Sequence, residues 1–387
     1  MAGGEKVVRM GVIGVGGMGQ GHCKTMQKVE EMKLCAVCDF SAATAEKVGK
    51  EHNVPYFSDP KELIKAKLCD AVLIATPHPV RPPIAIEVLK AGLHLLSEKP
   101  LSENVATADK MIAMAKKKGV AFGIMFQRRT EPPVIKALEL IRGGELGKLY
   151  RRTLISPEYR SQAYYDSGGW RATWKGEGGG VMMNQAPHVI DLFLLLGGMP
   201  NRVIGNCETR LHRIEVEDHG EAMLFYPDGG TGYMYTSTCE AGPGQMIELF
   251  GDKGKLCWRN GQLSFWKFNQ PIAEFTVSNK EMWAAVKAEE VKLELTTGDV
   301  GHVNIHRNFA RHILNGEPLV APGEEGIRSL ELANAVWLSS FKKKPIDLPI
   351  SRSAYNAFLN KVRTESTFVK EAPTAVKAET DPQHAKA

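Results

Sequence analysis

The sequence predicts an α/β protein in which a doubly wound parallel sheet is followed by an α+β domain with a largely antiparallel, open sheet. Two patterns support this prediction. Over residues 1–130, short apolar strands alternate with helical segments, as expected for parallel strands joined by crossover helices. From Arg202 onward, strand patterns follow one another directly, and Gly- and Asp-rich turn signals between them favour antiparallel pairing.

The chain length predicts two domains, because 387 residues are too many for one ordinary hydrophobic core. We expect the first domain over residues 1–130 and the second over residues 131–350. The segment 365–387 is rich in Ala, Lys, Glu, Thr and Pro, and we expect a disordered tail there.

Composition argues against several classes of protein. With 43% hydrophobic and 24% charged residues, the chain is typical of a soluble globular protein. The net charge of +5 comes without a basic block, so we expect no nucleic-acid partner. No apolar run reaches transmembrane length, and the N-terminus has no signal-peptide pattern. The seven scattered cysteines favour reduced thiols in a cytoplasmic protein.

A glycine-rich turn joins the first predicted strand, Val7–Ile13, to a helix expected over 20–28. Its G-x-G-x-x-G spacing, between a strand and a helix, is that of a Rossmann dinucleotide-binding motif. The first glycine allows the tight turn, the second lets a pyrophosphate approach the backbone, and the third allows close helix–strand packing. A helix N-terminus at this point favours phosphate charge. The residues expected to bind the cofactor here are Gly14, Gly16, Gly17, Met18 and Gly19.

The second strand ends in an acidic residue that indicates the nucleotide. Asp39 lies 20 residues after Gly19, where a carboxylate binds the ribose hydroxyls of NAD. The same carboxylate would repel the 2′-phosphate of NADP, and the following Phe40 and Ser41 provide no arginine for it. We therefore expect NAD rather than NADP. The alternative is that Asp39 caps the helix that starts near Ser41.

Later strands of this domain end in residues that we expect at the same crevice, because the carboxyl ends of parallel strands face the ligand in such sheets. Strands are predicted at 70–75, 93–96 and 120–128, with helices at 84–91 and 105–118 between them. The cofactor-contacting residues expected there are Thr76, Pro77, His78, Glu98, Lys99 and Gln127.

Lys99 stands out because it follows an apolar strand and precedes a proline. Burial lowers the pKa of a lysine, which suits it to proton transfer. Pro100 restricts its own backbone and that of Lys99, so the direction in which the Lys99 side chain projects is restricted as well. The alternative is a strand-end lysine that points into solvent.

The second domain begins with a predicted helix at 134–144 and a strand at 149–155, and then becomes rich in Tyr, Trp and Arg. Aromatic rings mixed with hydrogen-bonding groups suit a sugar, which has apolar faces and polar edges. We expect Tyr165, Trp170 and Arg171 to bind substrate. The alternative is a packing loop or an oligomer contact.

A second candidate centre follows three glycines at 178–180. Asn184, His188 and Asp191 recur at spacings of four and three, so they lie on or near one helical face. A His near its neutral pKa suits a general base. Asp191 is expected to bind a sugar hydroxyl or to give electrostatic support to His188, and Asn184 is expected at the substrate.

Other residues do not add a site. Glu217, Asp218 and His219 are adjacent in sequence and do not converge without a bend, so we assign no metal. His302 and His306 share a helical face and are expected in core or surface positions, with a position flanking the site as the alternative. We expect the segment 328–341 to form the final long helix.

These motifs resemble the Gfo/Idh/MocA oxidoreductase family. The resemblance is carried by G-V-G-G-M-G at 14–19, A-T-P at 75–77, A-G-L-H-L-L-S-E-K-P at 91–100 and the G-G-G…H-x-x-D pattern that ends at Asp191, and it covers residues 7 to 349. In that family the lysine of E-K-P lies near the nicotinamide and takes part in proton transfer, which implies that role for Lys99. The family pattern has an Asp where this chain has Asn184, so no acid role is possible there.

The resemblance implies an NAD-dependent oxidoreductase that moves a hydride between nicotinamide and a hydroxyl carbon of a sugar, glycoside or cyclitol. In this hypothesis His188 takes the hydroxyl proton, and Lys99 relays it or stabilises oxyanion charge. Which of the two is the first base stays open. The resemblance also implies a homodimer or homotetramer through the C-terminal sheet. Two alternatives remain, namely a redox-neutral glycoside-cleaving enzyme with retained NAD and an NAD-binding regulator without turnover.

Overall fold

The computed structural model describes residues 6–370 and contains two sheets flanked by helices. The first sheet has six strands, all pairing in parallel, in the order β3-β2-β1-β4-β5-β6. Its strands are β1 (Val8–Ile13), β2 (Met32–Cys38), β3 (Tyr56–Phe57), β4 (Ala71–Ile74), β5 (His94–Ser97) and β6 (Phe122–Ile124). Its helices are α1 (Gly17–Met26), α2 (Ala42–His52), α3 (Pro60–Lys65), α4 (Arg81–Lys90) and α5 (Val105–Lys118). The strand order reverses between β1 and β4, which places a ligand crevice at their carboxyl ends.

The helices of this half begin and end where side chains satisfy the free backbone groups. Ser41 and Asn104 accept hydrogen bonds from backbone N–H groups in the first turns of α2 and α5. Asp59 does the same for α3, whose first residue is Pro60. Gly119 ends α5 with a φ of +63°, a left-handed conformation that glycine adopts without strain.

The second sheet has nine strands in the order β14-β13-β12-β11-β7-β10-β9-β8-β15. Every pairing is antiparallel except that of β7 with β10, so the predicted fold class is confirmed. Its strands are β7 (Leu149–Pro157), β8 (Arg202–Glu208), β9 (His219–Phe225), β10 (Thr231–Ser237), β11 (Met246–Gly251), β12 (Gly254–Arg259), β13 (Gln262–Phe268), β14 (Ala288–Glu290) and β15 (Ile346–Asp347).

Helices cover one face of this sheet. The helices of this half are α6 (Pro132–Arg142), α7 (Gln162–Asp166), α8 (Val181–Asn184), α9 (Pro187–Gly197), α10 (Ile272–Ser278), α11 (His302–Asn315), α12 (Gly326–Lys342) and α13 (Arg352–Glu365). Helices α6, α8, α9 and α12 pack on the sheet, whereas α11 returns to the first half and packs against α1. The boundary at 130/131 therefore stays a prediction, since the chain crosses between the halves more than once.

Several boundaries predicted from the sequence are wrong. Helix α1 begins at Gly17, three residues before the expected start, because the glycine-rich turn is short. The strand predicted over 120–128 ends at Ile124, and Gln127–Thr130 form a 3₁₀ turn instead. The helix predicted to be the last is followed by α13, which packs against α5 and α12. The expected disordered tail lies mostly outside the described residues; its described part, 366–370, follows α13.

Two further observations concern membrane-spanning helices and the cysteines. No helix within residues 6–370 combines the length and the apolar character needed to cross a bilayer. All seven cysteines carry free thiols; in β2, Cys38 is buried and Cys35 is partly exposed.

Two glycines of the first turn provide a matched test of close packing. A Cβ at Gly19 would lie 1.9 Å from the carbonyl oxygen of Gly14, whereas one at Gly16 would meet nothing within 4 Å. We expect Gly19→Ala to lower the free energy of unfolding by about 2 kcal/mol, as overpacking does. Gly16→Ala should lower it by less than about 1 kcal/mol. Urea unfolding would measure both, and equal losses would contradict this account.

Candidate active site

The glycine-rich turn leaves space where a phosphate could approach. Gly14 has a φ of +86°, and a Cβ there would lie 2.9 Å from the backbone nitrogen of Thr76, so the turn touches the end of β4. Nothing lies within 4 Å of the Cβ position of Gly16, at the N-terminus of α1. This end of α1 therefore combines exposed backbone N–H groups with room for an anion.

Asp39 lies beside this turn. One carboxylate oxygen accepts the N–H of Val15 at 2.9 Å, and the other accepts the N–H of Ser41 at 2.9 Å. The cap of α2 is the Ser41 hydroxyl, so the alternative of Asp39 as that cap is wrong. Each carboxylate oxygen can accept a further hydrogen bond, as binding two ribose hydroxyls would require.

Buried polar atoms at the neighbouring strand ends lack partners within the described chain. Thr76 Oγ1 and Gln127 Oε1 are both buried without a hydrogen bond. Unpaired buried polar atoms are costly unless a ligand or water satisfies them. The donor set at this crevice therefore fits a polar cofactor whose phosphate end lies at Gly16, with Asp39 at its ribose.

Lys99 is held in place by a buried arginine that the sequence did not single out. The Arg81 guanidinium donates to the carbonyl oxygens of Thr76 at 2.6 Å and Glu98 at 2.9 Å, and to that of Pro100. The carbonyls of Glu98 and Pro100 flank Lys99 on both sides. Arg81 thus joins the turn after β4 to the turn after β5 and fixes the backbone from which Lys99 projects.

Glu98 was expected at the cofactor, but the structure places its carboxylate in a buried histidine network. One oxygen lies 2.9 Å from His22 Nε2, and the other accepts the Lys99 N–H at 3.0 Å. His22 Nδ1 lies 3.1 Å from His306 Nε2, and His302 packs edge-on against the His22 ring. Both ring nitrogens of His22 therefore have a partner. Through Glu98, this network contacts the backbone N–H of Lys99 and so supports the turn that carries it.

The Lys99 side chain reaches from the first half of the molecule to the second. Its Nζ donates to the carbonyl oxygen of Asn184 at 3.0 Å. Loss of water around the ammonium lowers the pKa of Lys99, although Glu98, Glu158 and Glu177 oppose that shift. A lysine with a lowered pKa can exchange a proton more readily near neutral pH.

Glu177 is the acidic residue that organises this contact. Its carboxylate accepts the Asn184 side-chain amide and the Ala172 N–H, the latter at 2.6 Å. Its backbone carbonyl accepts a hydrogen bond from His78 Nδ1 at 3.1 Å. Burial raises the pKa of Glu177 to about 7. Asn184 was expected at the substrate. Its side-chain amide donates to the Glu177 carboxylate, and its backbone carbonyl accepts the hydrogen bond from Lys99.

His188 and Asp191 lie on α9, whereas Asn184 ends the separate short helix α8. His188 is buried, with its ring edge-to-face with Phe126 at a centroid distance of 6.1 Å. Asp191 does not face a solvent-filled cleft. Both of its oxygens accept hydrogen bonds from Arg129, at 2.8 and 2.6 Å, and both side chains are buried. Of the two roles expected for Asp191, this geometry favours electrostatic support.

Arg129 carries further contacts that join three segments. It donates to the carbonyl of Val320 at 3.1 Å and to the Glu325 carboxylate, while its guanidinium lies 5.3 Å from the Phe126 ring centroid. Although burial lowers the pKa of Arg129, the two carboxylates raise it above its usual range. Burial raises the pKa of Asp191, and the Arg129 guanidinium opposes that shift. The two hydrogen bonds of this pair fix α9 and with it His188.

The segment 159–174, which is rich in Tyr, Trp and Arg, has a buried part and a more exposed part. Tyr165 is buried in a small core with Ala172, Ile214 and Val216, and its hydroxyl lies 2.7 Å from Thr238 Oγ1. The expectation that Tyr165 binds substrate is wrong for this conformation, because its hydroxyl and ring faces are already in contact with protein.

Its neighbour Tyr164 takes the more accessible position. The Arg171 guanidinium lies 4.6 Å from the ring centroids of both Tyr164 and Trp170 and donates to the Tyr164 hydroxyl at 2.8 Å. Trp170 in turn packs edge-on against His78 at 5.9 Å. Trp170 and Arg171 thus lie beside the expected cofactor crevice, through His78.

The glycines at 178–180 are required by packing. A Cβ at Gly179 would lie 2.2 Å from the Trp337 ring, and one at Gly180 would lie 1.8 Å from the carbonyl oxygen of Glu217. The Glu217 carboxylate accepts the N–H groups of Gly180 and Met182 at 2.9 and 3.1 Å. Close packing, rather than ligand approach alone, explains these two glycines.

Sequence reasoning assigned no individual role to Arg81, Arg129, Tyr164 and Glu177. Arg81 and Arg129 follow strand ends, as Thr76 and Gln127 do, so the same strand-end argument could have included them. Glu177 directly precedes the glycine run, but nothing in its spacing indicated that it is buried.

Glu177 predicts a pH dependence of stability. Its folded pKa of about 7 lies above the usual value of 4.5, so its contribution is complete below pH 4.5 and is lost as pH rises through 7. We expect wild type to lose about 2 to 3 kcal/mol relative to Glu177→Gln between pH 5 and pH 8. Urea unfolding at both pH values measures this difference. A constant difference across that range would show that Glu177 titrates normally.

Two family models match the chain. The model described as "Oxidoreductase family, NAD-binding Rossmann fold" matches residues 8–126, and the GFO/IDH/MocA C-terminal domain matches residues 134–257. The myo-inositol 2-dehydrogenase of Thermotoga maritima is 26% identical, over 88% of this chain and 98% of that protein. The scyllo-inositol 2-dehydrogenase (NAD(+)) of Bacillus subtilis is 26% identical, over 65% of this chain and 74% of that protein.

Solved structures share the architecture. The WlbA dehydrogenase from Bordetella pertussis, in complex with NADH and UDP-GlcNAcA, is 26% identical with a TM-score of 0.77 and covers 89% of this chain and 100% of its own. Levoglucosan dehydrogenase in complex with NADH and L-sorbose, at 19% identity and a TM-score of 0.75, shows the same fold over 89% of this chain and 100% of its own. Since both matched ranges come from one family and lie on the two sheets in order, the chain belongs to the GFO/IDH/MocA family of oxidoreductases and has its NAD-binding Rossmann fold.

Proposed function

We propose that this protein oxidises a hydroxyl carbon of a sugar, glycoside or cyclitol with NAD. The observation that carries the proposal is the contact of Lys99 with Asn184, which brings a lysine of lowered pKa from the cofactor half to the segment that carries His188. A protein that only bound NAD would not need a desolvated lysine there. The named activities of the inositol dehydrogenases among its relatives support the substrate class.

The cofactor preference follows from Asp39. Its carboxylate lies at the glycine-rich turn, and Phe40 and Ser41 follow it. This arrangement favours the free 2′-hydroxyl of NAD and disfavours a 2′-phosphate. When bound, NAD supplies a hydride acceptor at its nicotinamide. Gly16, Thr76 and Gln127 would contact it from the carboxyl ends of the strands.

The protein residues would handle the proton. Oxidation of an alcohol requires removal of the hydroxyl proton, and His188 or Lys99 would accept it. His188 is oriented by α9, which the Arg129–Asp191 pair fixes. Lys99 would relay the proton or stabilise oxyanion charge, with Arg81 holding its backbone. The order of the two bases stays open.

The substrate surface proposed here is the layer formed by Trp170 and Arg171. An aromatic face beside a guanidinium suits a ring that has an apolar face and hydroxyl edges. Asn184 is proposed to lie at the same substrate, next to Lys99. This layer favours a cyclic polyol or a pyranoside over a short-chain polyol.

The mechanism predicts large losses on removing either base. We expect Lys99→Met and His188→Asn each to lower the single-turnover rate of hydride transfer by about 100- to 10,000-fold. The rate is followed as NADH absorbance with inositols, free sugars and glycosides, after saturation with NAD. The matched control is Lys90→Met, an exposed lysine that pairs with Glu87 on α4.

Near-normal rates of hydride transfer in both variants would contradict the mechanism. Aglycone release from glycosides without net NADH would instead indicate the redox-neutral alternative. NAD binding without turnover across the whole panel would indicate a regulator.

We further propose a homodimer or homotetramer formed through the open face of the second sheet. Met223 and Ile204 lie on neighbouring strands of this face and are 46% and 45% exposed. The seven longer strands, β7 to β13, are spaced about 4.8 Å apart and are each about 20 Å long, so they present on the order of 700 Å². That area is close to what one partner buries in a stable interface.

A cytoplasmic location stays a prediction from composition.

The assembly can be tested with one charge on the sheet. We expect Met223→Lys to shift the protein toward monomer by at least about tenfold in dissociation constant, because it would bury an unpaired charge. Light scattering after size exclusion measures the mass. Leu211→Lys, which changes an exposed apolar residue outside the strands, is the control. A wild-type monomer at micromolar concentration would rule out the interface.

A further inference from the structure

The chain that follows α13 returns to the substrate loop. Lys370 lies five residues beyond the end of this helix, and its Nζ donates to the carbonyl oxygens of Tyr165 at 2.6 Å, Gly168 at 2.7 Å and Arg171 at 2.8 Å. An ammonium group has three donors and no acceptor, so these three carbonyls use its full hydrogen-bonding capacity.

The three carbonyls that Lys370 meets belong to the last turn of α7 and the loop that follows it, and that of Gly168 also accepts the Arg171 N–H at 3.1 Å. Tyr165 lies in the last turn of α7, where backbone carbonyls lack helical partners and a cation is favourable. Gly168 and Arg171 lie in the irregular segment that follows. Glu177 and Asp166 are the acidic groups near the ammonium, and Arg171 is the nearby cation. Lys370 thus binds carbonyls at both ends of the short loop 165–171.

A second contact from the same segment holds the next part of the loop. Arg363 Nε, near the end of α13, donates to the carbonyl oxygen of Trp174 at 2.9 Å, and its guanidinium lies 2.9 Å from a Glu103 carboxylate oxygen. Trp174 also packs edge-on against Phe358 of α13. The segment 363–370 therefore contacts the loop at 165–171 and at 174.

We propose that the segment Arg363–Lys370 is a strap that positions Trp170 and Arg171 for substrate, and that Lys370 is its principal positioning residue. This inference rests on the proposed function, in which Trp170 and Arg171 form the substrate surface. The strap holds the carbonyl side of the loop, so the side chains are directed toward His78 and the crevice.

The strap also connects to the catalytic lysine. Ala172, next to Arg171, donates its N–H to Glu177, which accepts the Asn184 amide, and Asn184 accepts Lys99 through its carbonyl. Lys99 is the last member of this series, so a displaced Arg171 affects the substrate surface before it affects Lys99. Both family ranges end before residue 258, so the strap lies outside them.

The test compares Lys370→Met with Lys370→Arg and with the control Lys361→Met on the exposed side of α13. Hydrogen exchange of the peptide 162–174, in protein without substrate, reports the anchor directly. We expect Lys370→Met to raise exchange there about tenfold, since loops held by few contacts open locally. Lys370→Arg should restore much of the protection, and Lys361→Met should not change it.

Kinetics then separate positioning from general stability. We expect Lys370→Met to raise KM for the sugar or cyclitol about tenfold, with kcat and the KM for NAD changed less than about threefold, because the strap acts on substrate binding. Exchange unchanged in Lys370→Met would overturn the strap. Raised exchange with an unchanged substrate KM would overturn the positioning role.

The exchange result is independent of the reaction. If wild type turns over no sugar or cyclitol, the proposed function fails, and the positioning role that rests on it falls as well. The exchange data would then still decide whether Lys370 anchors the loop. Thermal melting of each variant shows whether a change is confined to the loop or affects the whole protein.

Discussion

The buried ion pair between Arg129 and Asp191 is the contact on which the site depends. Arg129 follows the last strand of the parallel sheet, and Asp191 lies on the helix that carries His188. Arg129 also contacts Glu325 in the turn before α12. Removing one partner would leave a buried charge unpaired, which costs far more than an exposed pair contributes. The two halves of the molecule are therefore fixed to each other next to the proposed base.

The same principle recurs at smaller scale. Arg81 binds the carbonyls that flank Lys99, and Glu217 binds N–H groups at the end of the glycine run. In each case a buried polar side chain satisfies backbone groups that no helix or strand can use. The turns near the crevice are thereby made rigid, which is what positions Lys99 and His188 without regular structure.

Local pattern was sufficient for most of the fold and for part of the site. Alternating apolar segments and the glycine spacing predicted the parallel sheet, and Asp39 was found from its distance along the chain. Partners distant in sequence were not predictable. Asp191 was expected to bind a sugar hydroxyl or to support His188 because its spacing from His188 is visible, whereas Arg129 lies 62 residues away. Tyr164 and Tyr165 are adjacent and alternate in direction, so sequence alone could not tell which one enters the small core.

The pairing of β7 has a consequence for the order in which the chain can fold. The parallel sheet needs no strand beyond Ile124, so it can assemble early during synthesis. In contrast, β7 pairs with β10 and β11, which are separated from it by a long stretch of chain. The centre of the second sheet therefore cannot close until Met246–Gly251 has been made, and such non-local pairing slows folding. Until β10 (Thr231–Ser237) has been made, neither backbone edge of β7 has a partner strand, and unpaired edges expose a nascent chain to aggregation.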